Sequence, residues 1–424
     1  MMKLAGLMVL TIGCTRRGDV KDTVESEVPG DLLSVSESSS GRLLFISPVD
    51  GTFQGEICLT EALPEVCPTD PDDDERCLMF AAEHQLIDGE STFALTYSRR
   101  DSDVDYAPSG IISVTTAHPP EVRWSLDTLT FPEGSSLASR CVEQRAPECN
   151  LNGTHIITET GDGSLIAADT NNSRVLWITP GDNGEGEVTA FLDATHPEWD
   201  GWRNVNHVQV LRDGDRDLLL TTFKARAPDS GGLTDEGQLV MWDVTDPIRP
   251  ARLWVWPEDG FLAAVHHGTV QETAAGTLLL YAHSLGASDD PDTGVIGSVG
   301  IARYLGPDTP PEYIADGVLP ATDNPLGFVR EVETFAPLDW LLITDSGCEN
   351  PSASCTFPGR LLSAKLPDLS PEGQSGALGD QRFVELELLP DARRHQLVYP
   401  YDADLFYVDE IDADLAAGIG ACVD

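Results

Sequence analysis

The chain has 424 residues, with 26 Lys+Arg against 71 Asp+Glu and a formal net charge of −45. That balance excludes a phosphate-neutralising nucleic-acid surface and an electrostatic grip on anionic lipid. Hydrophobic residues at 41%, with 8 Trp and 13 Phe, suffice for a packed core, while 38 Gly and 29 Pro impose frequent turns and leave little room for long helices.

At the N-terminus, Lys3 precedes an apolar stretch from Leu4 to Gly13 that is too short to span a bilayer and fits the apolar region of a secretory signal over 1–13. Leu10-Thr11-Ile12-Gly13-Cys14 resembles a bacterial lipobox. The resemblance implies a lipid on Cys14 and a bacterial lipoprotein anchored to a membrane, facing the periplasm or the cell exterior. Residues 14–40 are rich in Ser, Glu, Asp and Gly and read as a disordered tether. A tether of about 25 residues reaches at most roughly 85 Å.

Without Cys14, eight cysteines remain, an even number suited to an oxidising compartment. Cys141–Cys149 and Cys348–Cys355 each bracket a Pro-containing loop and read as local bridges. Cys58, Cys67, Cys77 and Cys422 allow three pairings, and Cys422 joined to any of the others would staple the two ends of the chain.

Beyond the tether, one layout recurs. A His opens a short apolar segment, a turn with Asp or Gly follows, and a second apolar segment begins ten or eleven residues past the His. The phrases are Gly153-Thr154-His155 to Asp169, Val205-Asn206-His207 to Thr221, Val265-His266-His267 to Tyr281, and Arg394-His395 to Val408. Val329-Arg330-Glu331 to Thr344 carries Arg330 in the His slot, and Glu83-His84 to Thr96 is a sixth copy with a shorter turn. Two runs of strand formers around turn residues predict a β-hairpin. The openers at 84, 155, 207, 267, 330 and 395 mark a repeat.

A third and a fourth strand follow each of the first five hairpins, Gly110–Val114 and Glu121–Leu126 being the first such pair. The last hairpin lacks them, and its missing pair lies at the other end, in Gly41–Ile46 and Phe53–Leu59. The prediction is an all-β, six-bladed β-propeller over 41–424 with four-stranded antiparallel blades. Residues 41–60 would complete the last blade, two strands coming from each terminus.

First strands of propeller blades line the axis, so His155, His207, His267, Arg330 and His395 are the candidate catalytic residues, with His84 and His266 beside them. Imidazole serves as nucleophile, general acid/base or metal ligand. The same residues also suit a polar filling of the channel, which would make the chain a non-enzymatic binding or scaffold propeller.

The pattern His-x-x-x-x-Leu-x-Asp-Gly followed by Leu-Leu-Leu, clearest over His207–Leu220, resembles the hairpin repeats of bacterial arylsulfate sulfotransferases. The likeness covers roughly 150–400, and the better-known members carry an additional N-terminal β domain that is not matched here. The resemblance implies sulfuryl transfer between phenolic compounds. One of His155, His207, His267 or His395 would be the nucleophile, with the others and Arg330 on the sulfuryl oxygens. The implied partner is a small phenolic or sulfated molecule taken by a monomer, with an unidentified protein as partner on the scaffold reading.

No cofactor is firmly indicated, although two metals fit in outline. Zinc on His155, His207 and His267, with Glu159, Glu272 or Glu333 as base, would make a hydrolase or lyase. Calcium near Asn152 and Asn206 would need a carboxylate set that the sequence does not supply there. Gly181–Glu187 and Asp213-Gly214-Asp215 read as turns, Asp70–Glu75 as a solvated loop, and Trp177, Trp242, Trp254 and Trp256 as packing between blades.

Overall fold

The computed structural model describes residues 32–37, 41–46, 53–58, 62, 79–87, 92–99, 109–115, 120–133, 135–137, 150–160, 163–181, 185–227, 236–273, 276–287, 295–317, 326–335, 340–347, 359–366, 384–385 and 400–406. The signal segment 1–13, Cys14, Cys67, Cys77, Cys141, Cys149, Cys348, Cys355, Cys422 and His395 lie outside them, as does the loop Asp70–Glu75; Cys58 is placed only as the end of a strand.

Strand formers in short runs between Gly, Asp and Asn turns give an all-β fold. The first strands are β1 (Leu32–Glu37), β2 (Arg42–Ile46) and β3 (Phe53–Cys58). A second sheet holds β4 (Met79–Ile87), β5 (Thr92–Arg99), β6 (Ser109–Thr115) and β7 (Val122–Leu126). The short β8 (Thr128–Thr130) crosses to run parallel beside the outer strand of the next sheet. That sheet is β9 (Thr154–Glu159), β10 (Leu165–Asp169), β11 (Arg174–Pro180) and β12 (Glu185–Leu192).

The fourth sheet is β13 (Trp202–Asp213), β14 (Arg216–Arg226), β15 (Glu236–Asp243) and β16 (Ala251–Trp256), with β17 (Leu262–Ala263) added to β15. The fifth is β18 (His267–Thr273), β19 (Gly276–Ala287), β20 (Val295–Arg303) and β21 (Glu312–Gly317). The sixth is β22 (Val329–Phe335), β23 (Trp340–Asp345), β24 (Arg360–Lys365) and β25 (Val384–Glu385). Finally β26 (Pro400–Phe406) pairs antiparallel with β1, so the first sheet runs β26-β1-β2-β3.

Two features depart from the sequence reading. Leu32–Glu37 falls inside the segment read as tether, yet it is a strand with Leu33 and Val35 fully buried, because β26 and β2 flank it on both sides. Among the described residues, the shared sheet therefore takes three strands from the N-terminal part and the single strand β26 from the C-terminal part, in place of two and two.

The core lies between sheets. Middle strands such as Leu218–Phe223 are buried on both faces, as the continuous apolar run requires, whereas outer β12 alternates exposed Glu185, Glu187 and Thr189 with buried Gly186, Val188 and Ala190. One cluster joins the β9 and β13 sheets through Trp177, Trp202, Phe223 and Trp242, with Trp202 stacked on Phe223 at 5.0 Å. Others join the β13 and β18 sheets, the β18 and β22 sheets, and the β22 and β26 sheets. Ala94, Ile111 and Leu126 meet Ile157 and Leu176 between the β4 and β9 sheets, and Phe45 meets Phe93 at 5.3 Å between the β26 and β4 sheets. The edge strands β26, β4, β9, β13, β18 and β22 lie side by side in that order, and β22 also touches β26. The tight connection Gly214-Asp215 between Asp213 and Arg216 uses a positive φ of 61° at Gly214.

Candidate functional site

The residues entering these edge strands share an irregularity. In β9, Ile156 faces Ala168 and Thr154 faces Asp169, so His155 is an extra residue in the ladder. Asn206 is the extra residue between Val205 and His207, and Arg330 between Val329 and Glu331. His266 donates its backbone N–H to Ala282 O (2.9 Å) although His267 is the ladder partner of Ala282. Such bulges re-aim one side chain out of the pleat. Two residues before three of them the chain is left-handed: Gly153 (φ 61°), Asn204 (φ 54°) and Ala264 (φ 45°). Gly and Asn adopt this readily, whereas Ala264 is held there at a cost in strain.

The bulge splits the predicted residues into two groups. His155, Asn206 and Arg330 occupy the extra position, and His266 stands at the equivalent place just ahead of β18; His207, His267 and Glu331 sit one residue later. His155 and His266 meet edge to face at 5.8 Å, and Arg330 Nη1 donates to His266 Nε2 at 2.9 Å. His207 and His267 meet separately, with ring centroids 3.9 Å apart. His84 is placed by backbone register alone, opposite Leu95.

In the first group, His155 is half-buried, whereas His266 is 3% and Arg330 5% exposed. His155 Nδ1 lies 2.9 Å from Gly153 O and 2.6 Å from Thr170 Oγ1. A carbonyl oxygen only accepts, and Thr170 O–H is donated to Val205 O (2.6 Å), so Nδ1 carries the proton and Nε2 the lone pair. His266 Nδ1 likewise donates to Arg330 O (3.1 Å), and its Nε2 lone pair accepts from Arg330. Arg330 Nε donates to Ser346 Oγ (3.0 Å), and its guanidinium stacks over Phe328 at 4.3 Å. Lys224 Nζ stands 5.6 Å from the same ring. Burial, then the positive charges of Arg330 and Lys224, push His155 down to about 3. His266 is held well below its ordinary value, by burial first and then by Arg330.

In the second group, His267 is 1% exposed, and its Nε2 is 3.8 Å from Glu331 Oε1. Glu331 Oε2 accepts the backbone N–H of Ala403 at 2.6 Å and Thr344 O–H at 3.4 Å. The donor atoms of His267, Glu331 and Glu333 all lie within 4.8 Å of one another. Among the described residues, these three converge closely enough to share an ion, in place of the His155, His207 and His267 set expected for zinc. Asn152 is structural, its backbone N–H donating to Asp169 Oδ1 at 2.7 Å and its Oδ1 accepting from Asn171 at 3.2 Å.

Sequence reasoning passed over Lys224, Thr170 and Glu331. The signal for the correct slot was the Gly or Asn two residues ahead of His155 and Asn206, which marks where the strand is bent.

No family model matches the sequence, and no curated protein matches it. Among solved structures, the chain is similar to the periplasmic gluconolactonase PpgL of Pseudomonas aeruginosa, with a TM-score of 0.47 and 12% identity over 89% of this chain and 99% of that one. It is also similar to a hypothetical selenium-binding protein from Sulfolobus tokodaii (TM-score 0.42, 11% identity, 93% and 96% of the two chains). A protein of unknown function from Bacteroides caccae gives a TM-score of 0.42 and 10% identity over 89% and 99%. These neighbours are propeller-like proteins.

Proposed function

We propose that the chain is a closed six-bladed β-propeller whose bulged axial residues transfer a sulfuryl group between phenolic compounds through His155. The blade reading is supported by six sheets whose edge strands and apolar clusters follow one another in a single circuit, with β26 beside both β22 and β4. The chemical reading rests on one observation: a half-buried imidazole, kept neutral and with Nε2 as its lone-pair nitrogen, stands beside two cations.

A sulfate ester is an anionic electrophile. Arg330 and Lys224 supply positive charge for its oxygens, which lowers the cost of charge developing as the ester bond breaks. Nε2 of His155 attacks sulfur, an N–S bond forms, and the S–O bond to the aryl group breaks with its electron pair leaving on the phenolate. An acceptor phenolate then attacks the same sulfur, and the N–S bond returns its pair to Nε2. His266 Nε2 accepts from Arg330 Nη1. It is the positioning residue for that guanidinium. In the same reading the protein is exported and held at a bacterial membrane through a lipid on Cys14, which places the site where exogenous phenols arrive.

The test is release of 4-nitrophenol from 4-nitrophenyl sulfate with phenol as acceptor. His155→Ala should lower turnover by about 10³-fold or more, and Arg330→Ala by about 10²–10³-fold. Wild type quenched in alkaline denaturant should carry one sulfuryl group on the peptide containing His155. Turnover equal to wild type in His155→Ala would refute the assignment.

A further inference from the structure

We infer that His267, Glu331 and Glu333 form a binding site for one divalent transition ion, with zinc the best match to its donors. The site is separate from the sulfuryl-transfer residues, since none of the three belongs to the bulged slot.

The first observation is His267 itself. It is 1% exposed, and neither ring nitrogen has a hydrogen-bond partner among the described residues. Buried polar atoms are nearly always satisfied, so an imidazole with two unmet nitrogens points to a missing ligand. The second is the distance of 3.8 Å from its Nε2 to Glu331 Oε1. That is too long for a hydrogen bond. It suits two donors on one ion, each at about 2.0–2.2 Å from zinc.

The third observation is how the carboxylates are held. Glu331 and Glu333 stand two apart on β22 and so share a face, and all three donors lie within 4.8 Å. Glu331 Oε2 is anchored by Ala403 N–H and Thr344 O–H, and Oε1 lies 3.8 Å from His267 Nε2. Outer hydrogen bonds of this kind orient metal ligands. One imidazole with two carboxylates suits zinc, manganese or ferrous iron better than thiolate-seeking metals, while calcium prefers a shell made of oxygens.

The experiment uses the full chain, freed of metal with a chelator and titrated with zinc sulfate by calorimetry and with cobalt chloride by visible absorption. One equivalent of zinc should bind, and cobalt should give ligand-field bands without a thiolate charge-transfer band. Glu333→Gln, at a half-buried position, should weaken binding by about 100-fold or more while leaving the circular dichroism of the metal-free protein unchanged. Zinc should raise the unfolding midpoint of wild type and not that of the variant. Absence of stoichiometric binding, a thiolate band that puts the metal on cysteines, or wild-type affinity in Glu333→Gln would each overturn the inference. Turnover of aryl sulfate is read separately through His155, so either assignment can fail without the other.

Discussion

His155 shows how much of the candidate chemistry is set by its immediate surroundings. The imidazole is polarised by Gly153 O and Thr170 on one side and by the charges of Arg330 and Lys224 on the other. Its pKa near 3 against an ordinary 6.5 has a definite sign for stability. Between those values the unfolded chain binds the proton and the folded one does not, so folding weakens as pH falls from about 6.5 toward 3. Urea midpoints measured from pH 7 to pH 4 should therefore fall more steeply in wild type than in His155→Gln, which has no proton to gain. Activity should not drop on crossing pH 6.5, because the imidazole is still neutral there. A half-maximal rate near pH 6.5 in the acid limb would contradict the assignment.

At the scale of elements, an acid–base pair recurs where the second strand of a sheet hands over to the third. Asp169 and Arg174 are register partners in contact at 2.6 Å, Asp345 and Arg360 at 3.1 Å, and Glu37 and Arg42 at 3.9 Å. The acid does more than pair. Asp345 accepts the backbone N–H groups of Gly327 (3.1 Å) and Phe328 (3.0 Å), as Asp169 accepts that of Asn152, which fixes the chain just ahead of Arg330 and His155. Removing the acid leaves a buried guanidinium and backbone donors unmet. Asp169→Ala should cost about 3–5 kcal/mol in urea unfolding. The double variant with Arg174→Met should recover part of it, a non-additivity that a mere surface pair would not show. These pairs were present in the sequence as Asp169…Arg174 and Asp345…Arg360, at separations too different to suggest a common role. Only the strand register reveals that they occupy equivalent crossings.

For the whole molecule, one strand carries the meeting of the two ends. β26 covers the edge of β1, buries Ala403 against Leu33 and Val35, and supplies the N–H that holds Glu331. Truncation after residue 399 should uncover that edge, broaden or split the thermal transition and shift part of the protein to dimers or larger species by size exclusion. Unchanged melting and a single monomer peak would show that the seam does not depend on β26. The charge of −45 acts over the same scale. Self-repulsion opposes the compact state, so raising salt from low ionic strength to about 0.5 M should raise the unfolding midpoint through screening.

The hairpins opening near 84, 155, 207, 267 and 330 and the all-β class could be read from the sequence because period-two patterning and Gly or Asp turns are local properties of a few neighbouring residues, whereas the stretch read as the turn of the last hairpin belongs to the single strand β26. The convergence of imidazoles was legible as a bias in position, but not their grouping. A single extra residue in β9, β13 and β22 sets His155, Asn206 and Arg330 apart from the residues that follow them, and His266 stands at the equivalent place just ahead of β18. The bulge is decided by pairing with the next strand rather than by the residue itself. Leu32–Glu37 was hidden for the same reason: six unremarkable residues become core only when β26 arrives from the far end of the chain. Lys224 joined the site through space, since Coulombic influence and packing follow distance in the fold and leave no periodic trace along the sequence.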